Sequence, residues 1–235
     1  MDKLEAASAD TMRSTIHQEF LRGFGEQPVA GRRILEIGCA GAVWLPYLRR
    51  YFGLEVCGID YSEAGGTKSR EVLVRDHTAG EIICADLFHP PHQLVAAFDY
   101  VLSFGVIEHF TDSAAAVTAC AHTVKPGGTL ITFIPNMASA AGTLWQLVDR
   151  AVYDINVPLD EASLERAHHH AGLVNQSTRY LASTCYSVAN LNKARGPLRR
   201  ARRAVWLAAA AASVGIWTIV SATRSQFRQR DSSRR

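Results

Sequence analysis

The chain has 235 residues, of which 48% are hydrophobic and 20% charged, so it can build one well-buried core but is too short for two large ones. Its five cysteines are an odd number without C-x-x-C spacing, which favours buried thiols in a reducing cytoplasm over a disulfide framework. The first residues lack the apolar core of a signal peptide, so we do not expect secretion.

The formal charge of +3 hides an asymmetry along the chain. Residues 193–235 contain 11 of the 25 Lys and Arg but one of the 22 Asp and Glu, which gives +10 for this segment and −7 for the preceding residues. Residues 226–235 have the composition of a basic, disordered tail. The sequence leaves open whether the C-terminal region contacts RNA or an anionic membrane through this charge.

Helices and strands alternate through the first part of the chain. Residues 10–24 carry apolar side chains at helical spacing and are followed by Gly25, and we interpret residues 1–30 as a lid. The elements predicted next are strand 33–38, helix 43–52, strand 55–60, a helix within 63–75, strand 81–85, helix 91–97, strand 98–104, helix 112–124 and strand 129–134. Such alternation predicts a parallel sheet wound by right-handed crossovers, with helices on both faces.

The alternation changes after the fifth strand. Two helices are predicted at 137–153 and 160–171, and we expect this insertion to cover an acceptor site at the carboxyl ends of the strands. A sixth strand is predicted at 173–181. Residues 204–223 are uncharged and long enough for a membrane span, but β-branched and aromatic residues after Gly215 favour a helix followed by a seventh, antiparallel strand. A peripheral membrane helix stays open as the alternative.

A loop of small residues after the first strand indicates a nucleotide-type cofactor. Glu36-Ile37-Gly38-Cys39-Ala40-Gly41-Ala42 ends a short apolar strand, and Asp60 ends the next strand, where a carboxylate can accept hydrogen bonds from ribose hydroxyls. The glycine spacing that binds a pyrophosphate is missing, and Glu36 suits a cationic ligand better than a diphosphate.

These residues resemble motifs of the class I S-adenosylmethionine-dependent methyltransferases. The resemblance covers residues 34–130 and continues in order at Gly58-Ile59-Asp60, at Ala85-Asp86-Leu87, at Phe98-Asp99-Tyr100, at Glu108-His109 and at Lys125-Pro126-Gly127-Gly128. It implies a Rossmann-like, doubly wound, seven-stranded and mostly parallel sheet within a single domain at 1–225. The chain departs from the family at Ala40 and Ala42, where glycines are usual; either these residues have negative φ or the cofactor binds less tightly.

The resemblance also implies S-adenosyl-L-methionine as the cofactor. Glu36, Gly38 and Gly41 are expected around its methionine end and Asp60 at its ribose. Asp86 and Leu87 are expected at the adenine, whose exocyclic amine can donate a hydrogen bond to a carboxylate. The remaining residues expected to bind the cofactor are Cys39, Tyr61, Ser103 and Phe104.

The expected reaction is methylation of a small, partly apolar acceptor, with a hydroxyl oxygen slightly favoured over nitrogen or sulfur. His109 follows the fourth strand and is the candidate general base, with a structural role as the alternative. A non-catalytic cofactor-binding module also stays open.

Metal and nucleic acid are not expected as partners. His168, His169 and His170 point about 100° apart on a helix and cannot converge on one ion, although one of them could line the acceptor pocket. Ser103-Phe104-Gly105-Val106 stands where methyltransferases that modify base amino groups commonly carry a D/N-P-P-Y/F/W motif, so the sequence does not favour a nucleic-acid substrate.

Overall fold

The computed structural model describes residues 3–26, 28–139, 142–143, 146, 150–181 and 217–225. The helices in these ranges are α1 (Lys3–Phe24), α2 (Leu45–Phe52), α3 (Glu63–Arg75), α4 (Ser113–Thr123), α5 (Arg150–Asp154) and α6 (Glu161–His170). The strands are β1 (Arg33–Ile37), β2 (Glu55–Asp60), β3 (Gly80–Cys84), β4 (Phe98–Phe104), β5 (Val124–Pro135), β6 (Leu173–Ser177), β7 (Tyr180–Leu181) and β8 (Trp217–Ser225).

All of these strands belong to one sheet, with the order β3-β2-β1-β4-β5-β8-β6 and with β7 paired to β8. Strands β1 to β5 pair in parallel, whereas β8 runs antiparallel to β5, β6 and β7. The predicted α/β fold with a mostly parallel sheet is therefore confirmed, as is the antiparallel direction of the last strand.

Helices cover both faces of the sheet because strand residues alternate in direction. Leu35 and Ile37 face a core that contains residues of α4 and α6, whereas Ile34 faces a second core that contains residues of α1, α2 and α3. The second core is rich in aromatic residues, and Phe20 of α1 is fully buried in it. The C-terminal half of α1 is thus part of the packed interior.

The structure differs from the sequence prediction at several elements. The helix predicted at 91–97 is a 3-10 turn at His92–Leu94, since Val95 is extended and Ala96 has a positive φ of 49°. The strand predicted at 173–181 is two strands, because its pairing with β8 stops at Ser177 and resumes at Tyr180. Within the described ranges the sheet accordingly contains eight strands, and the predicted count of seven is not confirmed.

Some predictions fall outside the described residues. They concern most of the predicted helix 137–153, the helix before the last strand at 204–216, and the tail 226–235. Among the helices that are described, none combines the length and the apolar character that crossing a membrane requires.

A buried hydrogen bond joins α6 to β5. His168 is fully buried, and its Nε2 lies 3.0 Å from the hydroxyl of Thr132 while its Nδ1 lies 2.8 Å from the carbonyl oxygen of Leu164. Burial lowers the pKa of His168 from 6.5 to about 4. His168 is therefore a core residue and not a wall of the acceptor pocket, whereas His169 and His170 are exposed.

We expect His168 to make the stability of the protein fall in mild acid. Its side chain binds a proton near pH 6.5 when the chain is unfolded but only near pH 4 when folded, so its contribution is complete above pH 6.5 and is lost as the pH falls through this window. The full loss is roughly 3 kcal/mol. Urea unfolding at pH values between 7 and 4 should show a smaller decrease for His168→Gln than for the wild type. His169→Gln, at an exposed neighbouring position, is the control, and equal decreases in all three proteins would contradict the assignment.

Candidate active site

The candidate site lies where β1 stands between β2 and β4. Ile37, the last residue of β1, pairs with Ile59 of β2 and with Ser103 of β4, so these strands end at the same level. The chain leaves β1 towards the face covered by α2 and leaves β4 towards the face covered by α4. Loops that diverge in this way open a crevice at the carboxyl ends of a parallel sheet.

This crevice contains a cavity of about 360 Å³. Five of the predicted cofactor-binding residues line it, namely Gly38, Asp60, Tyr61, Asp86 and Leu87. Further lining residues, which the sequence analysis did not predict to bind the cofactor, are Ile37, Ile59, Ala85, Phe88, Val106 and Phe110. The walls are thus mainly apolar, with two carboxylates, which is the usual character of a site for a ring-containing cofactor.

The loop after β1 is fixed by Ser69 of α3. The hydroxyl of this fully buried residue accepts a hydrogen bond from the backbone N–H of Gly41 at 3.0 Å and lies 2.6 Å from the carbonyl oxygen of Cys39. Sequence reasoning missed Ser69, because a serine inside a predicted helix carries no signal of a contact 28 residues away. The loop therefore has a defined shape without a bound ligand.

The alanines in this loop behave differently from each other. Ala42 is buried and has a positive φ of 41°, a conformation that residues other than glycine rarely adopt. Ala40 does not have a positive φ. The alternative of negative φ at both alanines is thus correct for Ala40 and wrong for Ala42. The Ala42 N–H closes a tight turn onto the Cys39 carbonyl at 2.7 Å, which holds it in this conformation.

Asp60 ends β2 as predicted and is almost fully buried. Its Oδ1 accepts a hydrogen bond of 2.8 Å from the backbone N–H of Ser62, which orients the carboxylate at the cavity wall. A Cβ atom added to Gly65 would lie 2.9 Å from the same oxygen. The glycine in the first turn of α3 therefore leaves the space that this carboxylate occupies.

Asp86 lies in the loop after β3. Its Oδ1 accepts a hydrogen bond from the Phe88 N–H at 2.9 Å, and its Oδ2 lies 2.8 Å from Nδ1 of His89. The hydrogen bond with His89 is the main reason that the pKa of Asp86 is lowered. The side chain stays ionised and each oxygen keeps a further lone pair for a ligand donor. Phe88 and Phe110 meet edge to face at 5.3 Å and form the adjacent aromatic wall.

Four of the predicted cofactor-binding residues are buried or partly buried around the cavity without lining it, together with the loop glycine Gly41. Glu36 accepts a hydrogen bond from the Leu45 N–H at the start of α2, but its Oε2 is buried without a hydrogen-bond partner. Burial raises its pKa to about 8. The hydroxyl of Ser103 is also buried without a partner. Cys39 and Phe104 pack in the aromatic core, where Phe104 stacks on Phe133 at 5.0 Å.

His109, the predicted base, is exposed and does not line this cavity. Its Nδ1 lies 3.0 Å from the carbonyl oxygen of Ile155. A carbonyl oxygen can only accept, so Nδ1 carries the hydrogen and Nε2 of the neutral ring is the basic atom. The Val157 N–H donates to the Glu108 carbonyl at 2.6 Å, which places this part of the predicted insertion beside the end of β4.

Glu108, next to the predicted base, is a second buried carboxyl. Its Oε2 has no hydrogen-bond partner, and burial raises its pKa to about 8. Within the described part of the chain, no group of three or more His, Cys, Asp or Glu residues has an arrangement that could hold a metal ion.

Comparison with known proteins gives one family. A family model described as a methyltransferase domain matches residues 9–178. A protein named ubiquinone biosynthesis O-methyltransferase from Alkalilimnicola ehrlichii is 35% identical over 167 residues, which are 64% of each chain. A protein of the same name from Sinorhizobium medicae is 34% identical over 122 residues, which are 50% of this chain and 47% of the relative. The chain thus spans between about half and two thirds of the length of these relatives.

The fold has counterparts among solved structures. Phosphoethanolamine N-methyltransferase 2 of Haemonchus contortus, solved in complex with S-adenosyl-L-methionine, superposes with a TM-score of 0.67. The superposition covers 91% of this chain and 53% of the other, at 17% sequence identity. This likeness concerns the fold.

Substitutions at the loop glycines should separate backbone strain from steric overlap. Gly38 has φ +65°, and an added Cβ would lie 2.7 Å from Cγ2 of Val106, whereas Gly41 has φ +86° and open space around its Cβ position. We expect Gly41→Ala to cost about 1 kcal/mol of unfolding free energy from the positive φ alone. Gly38→Ala should cost about 2 to 4 kcal/mol because overpacking is added.

The matched test is Gly38→Ala in a Val106→Ala background, compared by denaturant unfolding. Its cost should fall to that of Gly41→Ala once the overlapping methyl group is gone. Independent, additive effects of the Gly38 and Val106 substitutions would contradict the steric explanation.

The buried Glu36 should make the ligand-free protein less stable as the pH rises. The folded carboxyl titrates near pH 8 and the unfolded one near 4.5, so the stability that comes from burying the neutral form is complete below pH 4.5 and is lost up to about pH 8. Glu36→Gln keeps an oxygen for the Leu45 N–H but cannot ionise. Thermal unfolding between pH 5 and 8.5 should show a shallower decline for this variant than for the wild type. A parallel decline in both proteins would show that Glu36 is ionised in the folded state.

Proposed function

The chain belongs to the class I S-adenosylmethionine-dependent methyltransferase family, and from this premise we propose that it transfers a methyl group to a hydroxyl oxygen of a small molecule. The cavity at the ends of β1, β2 and β3, with Asp60 and Asp86 in its wall, is the observation that carries the proposal. The relatives named O-methyltransferases support oxygen as the acceptor atom.

The residues around the cavity fit S-adenosyl-L-methionine. Asp60 would hold the ribose hydroxyls, and Asp86 with Leu87 would hold the adenine between apolar walls. Glu36 presents a buried carboxyl whose Oε2 lacks a partner, which suits a cationic ligand nearby. The open space at Gly41 lets a ligand approach the backbone closely. Tyr61, Cys39, Ser103 and Phe104 complete the proposed surroundings.

The cofactor supplies a methyl group that is already activated by its sulfonium, so the protein mainly has to align the acceptor and receive a proton. His109 is the proposed proton acceptor because its Nδ1 hydrogen is committed to the Ile155 carbonyl, which leaves Nε2 basic. The same hydrogen bond ties this residue to the insertion 137–171, which we propose as the cover of a partly apolar acceptor.

We also propose an organisation of the chain into a domain and a tail. We propose one domain at 1–225 with a basic tail at 226–235. Of the lid predicted at residues 1–30, only the part before Ile16 stays a proposal, because Ile16, Phe20 and Phe24 are buried in the core. The described cysteines Cys39, Cys57, Cys84 and Cys120 are free thiols, which agrees with a reducing, cytoplasmic location.

Cofactor binding and methyl transfer test this function together. The purified chain should bind S-adenosylhomocysteine in calorimetry and should transfer labelled methyl groups to members of a panel of hydroxyl-bearing ring compounds. Asp60→Ala should weaken cofactor binding by about 1.5 to 3 kcal/mol, the range for hydrogen bonds to a charged group. Glu63→Ala, an exposed acid in the first turn of α3, is the matched control and should leave affinity unchanged.

Three results have different meanings in this experiment. Binding without methyl transfer to any acceptor in a panel of hydroxyls, amines and thiols would favour a non-catalytic module. Transfer confined to amines or thiols would contradict O-methylation. Unchanged affinity in a folded Asp60→Ala protein would remove Asp60 from the cofactor site.

A further inference from the structure

A second, larger cavity of about 610 Å³ lies between α1 and α2. None of its lining residues lines the cavity at the strand ends. The two cavities are neighbours along the chain, because Gly38 lines the first and Val43 the second, and five residues span at most about 18 Å. Its volume falls within the range typical of small-molecule sites.

The charge of this cavity is positive. Arg13 of α1 and Arg50 of α2 line it, and neither forms an ion pair among the described side chains. Asp76 is the acidic residue among the described ones in its wall, and its Oδ1 is bound by Nε of Arg75 at 2.9 Å. Two guanidinium groups and one carboxylate that is already paired therefore line the cavity among the described residues, and this excess of positive charge favours an anionic ligand.

Aromatic rings form much of the remaining wall. Tyr47 and Tyr51 lie 4.4 Å apart between ring centroids, and Trp44 meets Tyr47 edge to face at 5.7 Å. His17 stacks on Phe52 at 5.1 Å, and its Nδ1 lies 2.7 Å from the Tyr47 hydroxyl. These contacts hold the rings in place before any ligand arrives.

Apolar side chains are exposed to solvent at this cavity. Tyr51 is 60% exposed and Val43 is 67% exposed, and both lie on the cavity wall. Exposed aromatic and aliphatic side chains can pack against a flat ring, and the neighbouring arginines can bind a negatively charged group on that ring.

We propose that the cavity between α1 and α2 binds a ring-containing carboxylate. The ring packs against Trp44, Tyr47 and Tyr51, and the carboxylate pairs with Arg13 and Arg50, because a guanidinium matches a carboxylate with two parallel hydrogen bonds. A cationic ligand is disfavoured by the same arginines, and a purely aliphatic chain leaves them without a partner.

The site is distinct from the proposed methyl-transfer cavity and does not depend on methyl transfer. It is nevertheless next to the element that orients Glu36, since Trp44 directly precedes Leu45, whose N–H binds the Glu36 carboxyl. A ligand on Trp44 therefore contacts the start of the helix that closes one side of the cofactor loop.

A titration of the full chain with 2-naphthoate tests the proposal, with 2-naphthamide as the uncharged counterpart of the same shape. Ligand-observed NMR should detect saturable binding of the carboxylate and about tenfold weaker binding of the amide. Saturating S-adenosylhomocysteine should leave naphthoate bound, because the two cavities have separate walls.

Arginine variants locate the binding site. Arg13→Gln and Arg50→Gln should each weaken naphthoate binding about five- to tenfold, since each removes one charged hydrogen-bond donor group. Arg50→Lys, which keeps the charge but loses the planar pair of donors, should fall between Arg50→Gln and the wild type. Arg166→Gln, on the exposed side of α6, should leave binding unchanged. Circular dichroism confirms that each variant is folded.

The proposal would be overturned by absence of naphthoate binding, by equal affinity for the amide, or by displacement with S-adenosylhomocysteine. Unchanged affinity in both Arg13→Gln and Arg50→Gln would also overturn it. Each of these results can occur while the protein still binds the cofactor and transfers methyl groups, so the failure of this proposal is separable from that of the proposed function.

Discussion

The position of β1 at the centre of the five parallel strands is the constraint on which the rest of this structure depends. β2 and β3 lie on one side of it and β4 and β5 on the other. The chain therefore leaves β1 and β4 towards opposite faces, and this opens a crevice between the two loops. This divergence positions the apolar walls of the cavity, its two carboxylates and the loop after β1. The Ser69 hydroxyl then decides the shape of that loop at atomic detail.

Two buried carboxyl groups lie close to this crevice. Glu36 and Glu108 are both almost fully buried, and burial raises the pKa of each to about 8. A buried carboxyl without a partner avoids the large desolvation cost of ionisation by keeping its proton. A positive charge that arrives nearby reverses this balance, since the ionised form then gains an electrostatic partner. Binding of a cationic ligand is thereby linked to release of a proton from a buried carboxyl. The positive charge of the ligand then stabilises the ionised carboxylate.

Much of the fold and part of the site could be predicted from residue patterns. The alternation of apolar segments with helical ones predicts β1 to β5, and Asp60 and Asp86 could be placed because acidic residues at strand ends share one edge of a parallel sheet. Phe88, Val106 and Phe110 were missed, although each lies within a few residues of a motif position, because apolar residues there look the same as core residues. Ser69 and Gly65 were missed because their roles depend on contacts between separate elements. The division of β6 from β7 depends on where pairing with β8 is interrupted, which no local pattern encodes.

The place of β8 in the sheet has a consequence for how the chain is made. β8 lies between β5 and β6, yet it begins at Trp217, long after β5 ends at Pro135. During synthesis the outer edge of β5 therefore waits for its described partner until β8 emerges, at translation rates of about 5 to 20 residues per second. β6 and β7 cannot join the sheet before that moment, because both pair with β8. An unpaired strand edge is a template for association between chains. The interval before β8 arrives is accordingly a period in which a nascent chain of this protein is exposed to aggregation through the edge of β5.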